Sequence, residues 1–179
     1  MKQLYILLFT ISCLLCYSQE LQYEVFVNVD STITKTSLYN IARTWASQNF
    51  NTNNKVTTED PELGEISGIG NYDYRASKKY MGSSCVEGPI SYKFSLFFKD
   101  GKYKYSFYSF VHNGSRGPGC GRVDYGPLTV SDHAPLKGKM IADDYAWYDV
   151  KEKTSELINS LVKSLNETLI KVNQSNSNW

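Results

Sequence analysis

Residues 89–113, PISYKFSLFFKDGKYKYSFYSFVHN, read as two long strands folded back on each other at Asp100-Gly101. That dipeptide favours the positive φ of a tight hairpin turn, and it sets a register in which Lys99 faces Lys102 and Phe98 faces Tyr103. Continued outward, the register pairs Leu96 with Tyr105, Phe94 with Phe107, Tyr92 with Ser109 and Ile90 with Val111. One face is then almost wholly aromatic or aliphatic. The other carries Ser91, Lys93, Ser95, Phe97, Lys104, Ser106, Tyr108 and Phe110. A slip of one residue would turn lysines into the core, so the pattern specifies its own pairing.

The rest of the chain supplies elements to build on this hairpin. Residues 21–29, LQYEVFVNV, alternate Leu21, Tyr23, Val25, Val27 and Val29 against Gln22, Glu24, Phe26 and Asn28, the pattern of a strand with one buried face. Leu38, Ile41, Ala42, Trp45 and Ala46 recur at helical spacing, with Thr34, Thr36 or Ser37 as the N-cap. Residues 55–59 and 63–75 read as further strands. Gly64, Gly68 and Gly70 lie inside the second and open no helix, so they form no nucleotide fingerprint. Gly68 and Gly70 are expected to admit a helix side chain such as Trp45, or to mark a bulge. Pro127 confines residues 122–130 to a sheet edge. Leu157, Ile158, Leu161, Val162, Leu165 and Leu169 form the stripe of a final helix over 151–172, with Asp149 or Thr154 as caps. Residues 173–179 read as a polar, disordered tail.

The chain has 179 residues, 41% hydrophobic and 21% charged, which fits one domain plus a processing segment. Residues 1–18, MKQLYILLFTISCLLCYS, have Lys2, an apolar run and short residues at the end, and are expected to be a signal peptide cleaved after Ser18. Lipidation at Cys13 or Cys16 is the alternative, although neither follows the usual leucine, small, small pattern. Removing the segment removes Lys2, leaving 18 basic and 18 acidic residues. A formally neutral exported protein has no basic excess from which to bind nucleic acid. Cys85 and Cys120 remain, flanking the hairpin, and in an oxidising compartment they are expected to form a disulfide.

The succession of strand, helix, four strands in two hairpins and helix defines an α+β domain, with an antiparallel sheet and both helices on one face. At this point the chain resembles an exported bacterial family, a domain of unknown function with a TATA-box-binding-protein-like (TBP-like) fold. The residues that carry the resemblance are Leu38-Tyr39 with Trp45, the Ile66-x-Gly68-x-Gly70 strand, and residues 99–105, KDGKYKY. It covers residues 21–111 and the final helix. The resemblance implies a β-α-β(4)-α order over residues 19–172, with 114–147 as an irregular insertion, and export to the periplasm or beyond. It implies no catalytic residue and no cofactor, and likeness to a DNA-binding architecture does not license DNA binding.

The residues themselves point away from catalysis. No serine sits in a GxSxG elbow, and no carboxylate pair is set in an apolar surrounding that would split two pKa values. His112, His133, Asp132, Asp143 and Asp144 match no standard metal spacing. The glycine-rich stretch 114–121 lacks the lysine and helix of a phosphate loop. Interest falls on the outward hairpin face, where Lys93, Phe97, Lys104, Tyr108 and Phe110 mix aromatic groups with lysines, as in a module that grips a peptide, glycan or other envelope component. Two other readings stay open. A hydrolase or metal site could assemble in the 112–144 loops, or an edge strand could drive association. Residues 114–147 could also fold across the face and close it.

Overall fold

A computed structural model describes residues 19–50, 54–80, 82–116, 121–135 and 143–176. The expected signal peptide lies outside the described residues. In chain order the elements are β1 (Tyr23–Asn28), α1 (Lys35–Asn49), β2 (Lys55–Asp60), β3 (Glu65–Tyr74), a single-turn α2 (Ser83–Val86), β4 (Gly88–Lys99), β5 (Lys102–His112), β6 (Gly126–Pro127) and α3 (Asp143–Asn176). The strands form one antiparallel sheet in the order β1-β5-β4-β3-β2, with β6 pairing to the far end of β5. The architecture is α+β, as the element order requires.

The hairpin turn organises its neighbours. Gly101 takes the left-handed φ of 66° that the tight turn needs. Its N–H donates to Ile33 O at 2.9 Å, and its carbonyl accepts from Val29 N–H at 2.9 Å. Asp100 accepts from Lys35 N–H at 2.6 Å, so the turn carboxylate joins Thr34 Oγ1, which accepts from Ser37 N–H at 3.2 Å, in satisfying the open N-terminus of α1. The tip of the hairpin thereby fixes where the first helix starts.

α1 and α3 cover the same face of the sheet. Leu38, Ala42, Trp45 and Ala46 on α1 are buried, and Trp45 Nε1–H donates to Ser164 Oγ on α3 at 3.1 Å. Phe50, at the end of α1, stacks on Phe94 with ring centroids 4.0 Å apart. On the α3 side the sheet hydroxyls of Tyr72, Tyr74 and Tyr103 bond to Thr154, Asp149 and Asn166. Each ring stays in the apolar layer while its polar tip finds a partner, which avoids the penalty of an unmade buried hydrogen bond.

Three expectations need correction. The predicted register holds from Lys99–Lys102 to Lys93–Tyr108, then shifts between Ser91 and Lys93, so that Ser91 pairs with Val111 and Ile90 with His112. A bulge in β5 absorbs the extra residue, and Ser109 sits there at φ 53°. The space at Gly68 and Gly70 is filled by Phe94 and Tyr92 of the adjacent strand, their own register partners, rather than by Trp45, while the bulge reading holds at Gly68, opposite which the β2 register shifts between Val56 and Thr58. α3 begins at Asp143, two turns before its expected start, and runs to Asn176. Asp149 and Thr154 are consequently buried interior positions and not caps. The expected Cys85–Cys120 disulfide falls on Cys120, which lies outside the described residues. Cys85 is fully buried and engaged, and its carbonyl accepts from Val123 N–H at 3.0 Å.

Candidate functional site

The face of the sheet opposite the helices is crossed by rows of side chains from successive strands. One row reads Phe26, Lys104, Phe97, Glu65 and Asp60, from β1 across to β2. The next reads Glu24, Ser106, Ser95, Ser67 and Thr58. The cross-strand pairs expected from the hairpin, Phe97 with Lys104 and Lys93 with Tyr108, are both present.

Two shallow hollows meet at Phe97. The first, about 410 Å3, is lined by Phe26, Phe97, Lys99, Lys102, Tyr103 and Lys104. Phe26 is 72% and Phe97 38% exposed, so aromatic surface stands open beside three ammonium groups. Lys104 Nζ lies 5.1 Å from the Phe26 ring centroid, within cation–π range, and 3.0 Å from Glu24 Oε1. Ser106 Oγ–H also donates to Glu24, at 2.9 Å, and these two partners hold the carboxyl below its ordinary range. The second hollow, about 440 Å3, sets Glu24, Glu65, Ser95 and Ser106 among the rings of Tyr23, Phe107 and Tyr108. In it the Tyr108 hydroxyl lies 3.3 Å from Ser95 Oγ, which in turn accepts from Ser67 Oγ–H at 3.2 Å.

Phe110 does not belong to this face. The bulge at Ser109 turns it inward, where it is 1% exposed, stacks on Tyr92 at 5.6 Å and meets Tyr23 edge-on at 5.7 Å. Four of the five residues singled out on the hairpin, Lys93, Phe97, Lys104 and Tyr108, share the outer face. Phe26, Lys99 and Lys102 join them. The alternation of residues 21–29 had already put Phe26 on the side away from the core. What that alternation lacks is the identity of the neighbouring strand, which is set by a contact across about eighty residues of chain.

Described residues of the 114–147 stretch lie along the edge and the helix side. β6 pairs with β5, Tyr125 packs edge-on against Trp147 at 5.3 Å, and Ser131 O accepts from Trp147 Nε1–H at 2.7 Å.

Among the described residues, the two histidines of the alternative chemical site stand in different settings. His112 is fully buried; Tyr125 N–H donates to its Nδ1 at 3.2 Å, which leaves the proton on Nε2, donating to Val86 O at 2.7 Å. Burial holds this imidazole below its usual value. His133 meets Asp144 at 3.2 Å on the exposed surface. Among the described residues no group of three His, Cys, Asp or Glu side chains is placed to hold a metal ion.

Asp149 is the deepest carboxylate of the described chain, 3% exposed. Burial raises its pKa, but Ser77 N–H, donating at 3.0 Å, and the Tyr74 hydroxyl outweigh it and hold the group below its ordinary range. It fastens α3 to the end of β3 and is closed off from the outer face.

A helix-backed antiparallel sheet with an open opposite face defines a TBP-like α+β domain. Residues 23–113 match the family model described as "Domain of unknown function (DUF4468) with TBP-like fold", and the chain belongs to that family. Two solved structures share the fold. A DUF4468 family protein from Bacteroides ovatus superposes with a TM-score of 0.61 at 10% identity, covering 84% of this chain and 86% of its own. A TBP-like protein from Parabacteroides distasonis gives 0.58 at 13% identity, covering 82% and 93%. No curated protein matches the chain. No helix among the described residues is long and apolar enough to cross a membrane.

Proposed function

We propose that this domain is a non-enzymatic binding module of the cell envelope, holding an extended acidic peptide or glycan on the outer sheet face. The observation that carries this reading is the meeting of two hollows at Phe97, one aromatic and cationic, the other mixing aromatic rings with hydroxyls and carboxylates. Phe26 and Phe97 offer apolar surface on which a ring or sugar face can lie. Lys99, Lys102 and Lys104 would neutralise acidic groups, and Tyr108 with Ser95 would accept or donate hydrogen bonds farther along. In this reading residues 1–18 direct export and are removed, residues 19–172 act as one domain, and the partner is neither nucleic acid nor the membrane interior.

The test is a titration of the isotopically labelled domain followed by amide chemical shifts. The ligands are an alternating Glu-Phe peptide, its Lys-Phe counterpart and a uronic-acid oligosaccharide. Shifts that gather at Phe97, Lys104 and Tyr108 with either acidic ligand, and weaken with the basic peptide, support the reading. Shifts confined to the 121–135 loops, or none at any ligand concentration, refute it.

A further inference from the structure

The sheet has two edges of opposite character. β2 carries Lys55, Glu59 and Asp60, its register breaks between Val56 and Thr58, and Pro61 follows it. Charge, bulge and proline are the means by which an edge strand avoids pairing with another chain. β1, Tyr-Glu-Val-Phe-Val-Asn, has neither bulge nor proline. Its one charge, Glu24, is held within the molecule by Lys104 and Ser106.

The backbone of β1 is available for pairing. Leu21 N–H donates to Leu128 O and Val29 N–H to Gly101 O, so both flanking residues point into the sheet. Strand alternation then turns the N–H and C=O groups of Glu24, Phe26 and Asn28 outward. No described strand pairs with that side. The edge is also apolar on both faces. Of the nine large hydrophobic side chains exposed among the described residues, five lie along it: Val25, Phe26, Val130, Tyr148 and Ile170.

We propose that this edge is occupied by the same edge of a second copy of the chain, antiparallel about a two-fold axis through Phe26. Such an axis, normal to the sheet, keeps the helices of both copies on one side and pairs residues that face the same way. The side chains select the register. An axis at Glu24 would oppose two carboxylates, which is unfavourable across strands. An axis at Val25 would set Glu24 against Phe26 of the second copy. An axis at Phe26 sets ring against ring, Val25 against Val27, and Glu24 against the Asn28 amide, and lets the outward backbone groups form roughly six ladder hydrogen bonds. The consequence is one continuous row, Phe97, Lys104, Phe26, Phe26, Lys104, Phe97, across both copies. At about 4.8 Å per strand it spans about 24 Å.

The experiment needs no ligand, so it stands apart from the binding reading. Sedimentation equilibrium of the purified chain, from micromolar to submillimolar concentration, is expected to show a reversible monomer–dimer equilibrium. Phe26→Lys and Phe26→Glu should each weaken it by tenfold or more while leaving the circular dichroism spectrum and Tm unchanged, since the side chain is mostly exposed. Mixing the two variants should restore the dimer, because only in this register do residues 26 meet. A wild-type chain that stays monomeric throughout, variants that dimerise as well as wild type, or a mixture that fails to recover would each overturn the proposal.

Discussion

Tyr92 lies with its ring against Gly70, its partner across the β3–β4 ladder, so closely that a Cβ on residue 70 would stand 2.3 Å from the ring. The aromatic occupies the space that the missing side chain leaves, and the same holds for Phe94 over Gly68. Gly70→Ala is expected to destabilise the fold by about 1–3 kcal/mol through overpacking. Gly68→Ala should do worse, because its added carbon also meets the backbone oxygen of Lys55 at 2.3 Å. Urea denaturation of both variants checks the order. A double change, Gly70→Ala with Tyr92→Leu, should lose less than the sum of the single changes, and strict additivity would disprove the contact as the cause.

Phe97 and Phe110 belong to the same hairpin and, in the unbroken register, to the same face. Phe110→Ala is expected to cost about 3–5 kcal/mol, as truncation of a buried phenylalanine does. Phe97→Ala should stay within about 1 kcal/mol and should reduce acidic-ligand binding instead. Equal losses of stability in the two variants would mean that the outer face is covered.

Ser109 holds φ at 53° in the bulge that separates these two rings. A left-handed conformation is unfavourable by about 1–2 kcal/mol for an ordinary residue and free for glycine. Ser109→Gly is therefore expected to be neutral or stabilising, and Ser109→Val clearly destabilising. Thermal melts giving the reverse order would rule out the bulge geometry.

His112 and Asp149 place two acid-sensitive steps at different pH. Burial depresses the His112 pKa, so the unfolded chain binds the proton more readily and stability falls as pH drops through the unfolded value near 6.5 toward the lower folded one. Asp149 is also held low, so the stability it contributes is present above its unfolded value near 3.8 and is lost as pH falls through the folded one. Stability measured from pH 8 to 3 should decline in both windows. His112→Gln should flatten the upper one only, and a slope there unchanged by the substitution would assign that step elsewhere.

The alternation and the Asp100-Gly101 turn made the hairpin legible because both are local: the side-chain period of a strand and the φ demanded by its turn reside in the residues themselves. The helical stripes of α1 and α3 were legible for the same reason. The start of α3 was not, since Tyr145, Trp147 and Tyr148 carry no simple stripe and their helix is held by packing on Tyr125 and by Asp149 reaching Tyr74 and Ser77. The candidate face was legible in Lys93, Phe97, Lys104 and Tyr108, whose sidedness follows from the turn. Phe110 was misplaced because nothing in the sequence marks Ser109 as the residue that leaves the ladder.

By itself, the sequence determined the antiparallel hairpin, the α+β class, the sidedness of four outer-face residues and the resemblance to the family that the chain belongs to. Only the tertiary structure decided that β1 lies beside β5, which brings Phe26 and Glu24 to Lys104. It also decided that the bulge sends Phe110 inward onto Tyr92 and Tyr23, and that His112 is sealed as a neutral imidazole between Val86 and Tyr125. Periodicity reports which side of a strand a residue takes; it carries no information about which strand stands next to it. That choice is made by the joint burial of residues far apart in the chain, and the outer face acquires its chemistry only once it has been made.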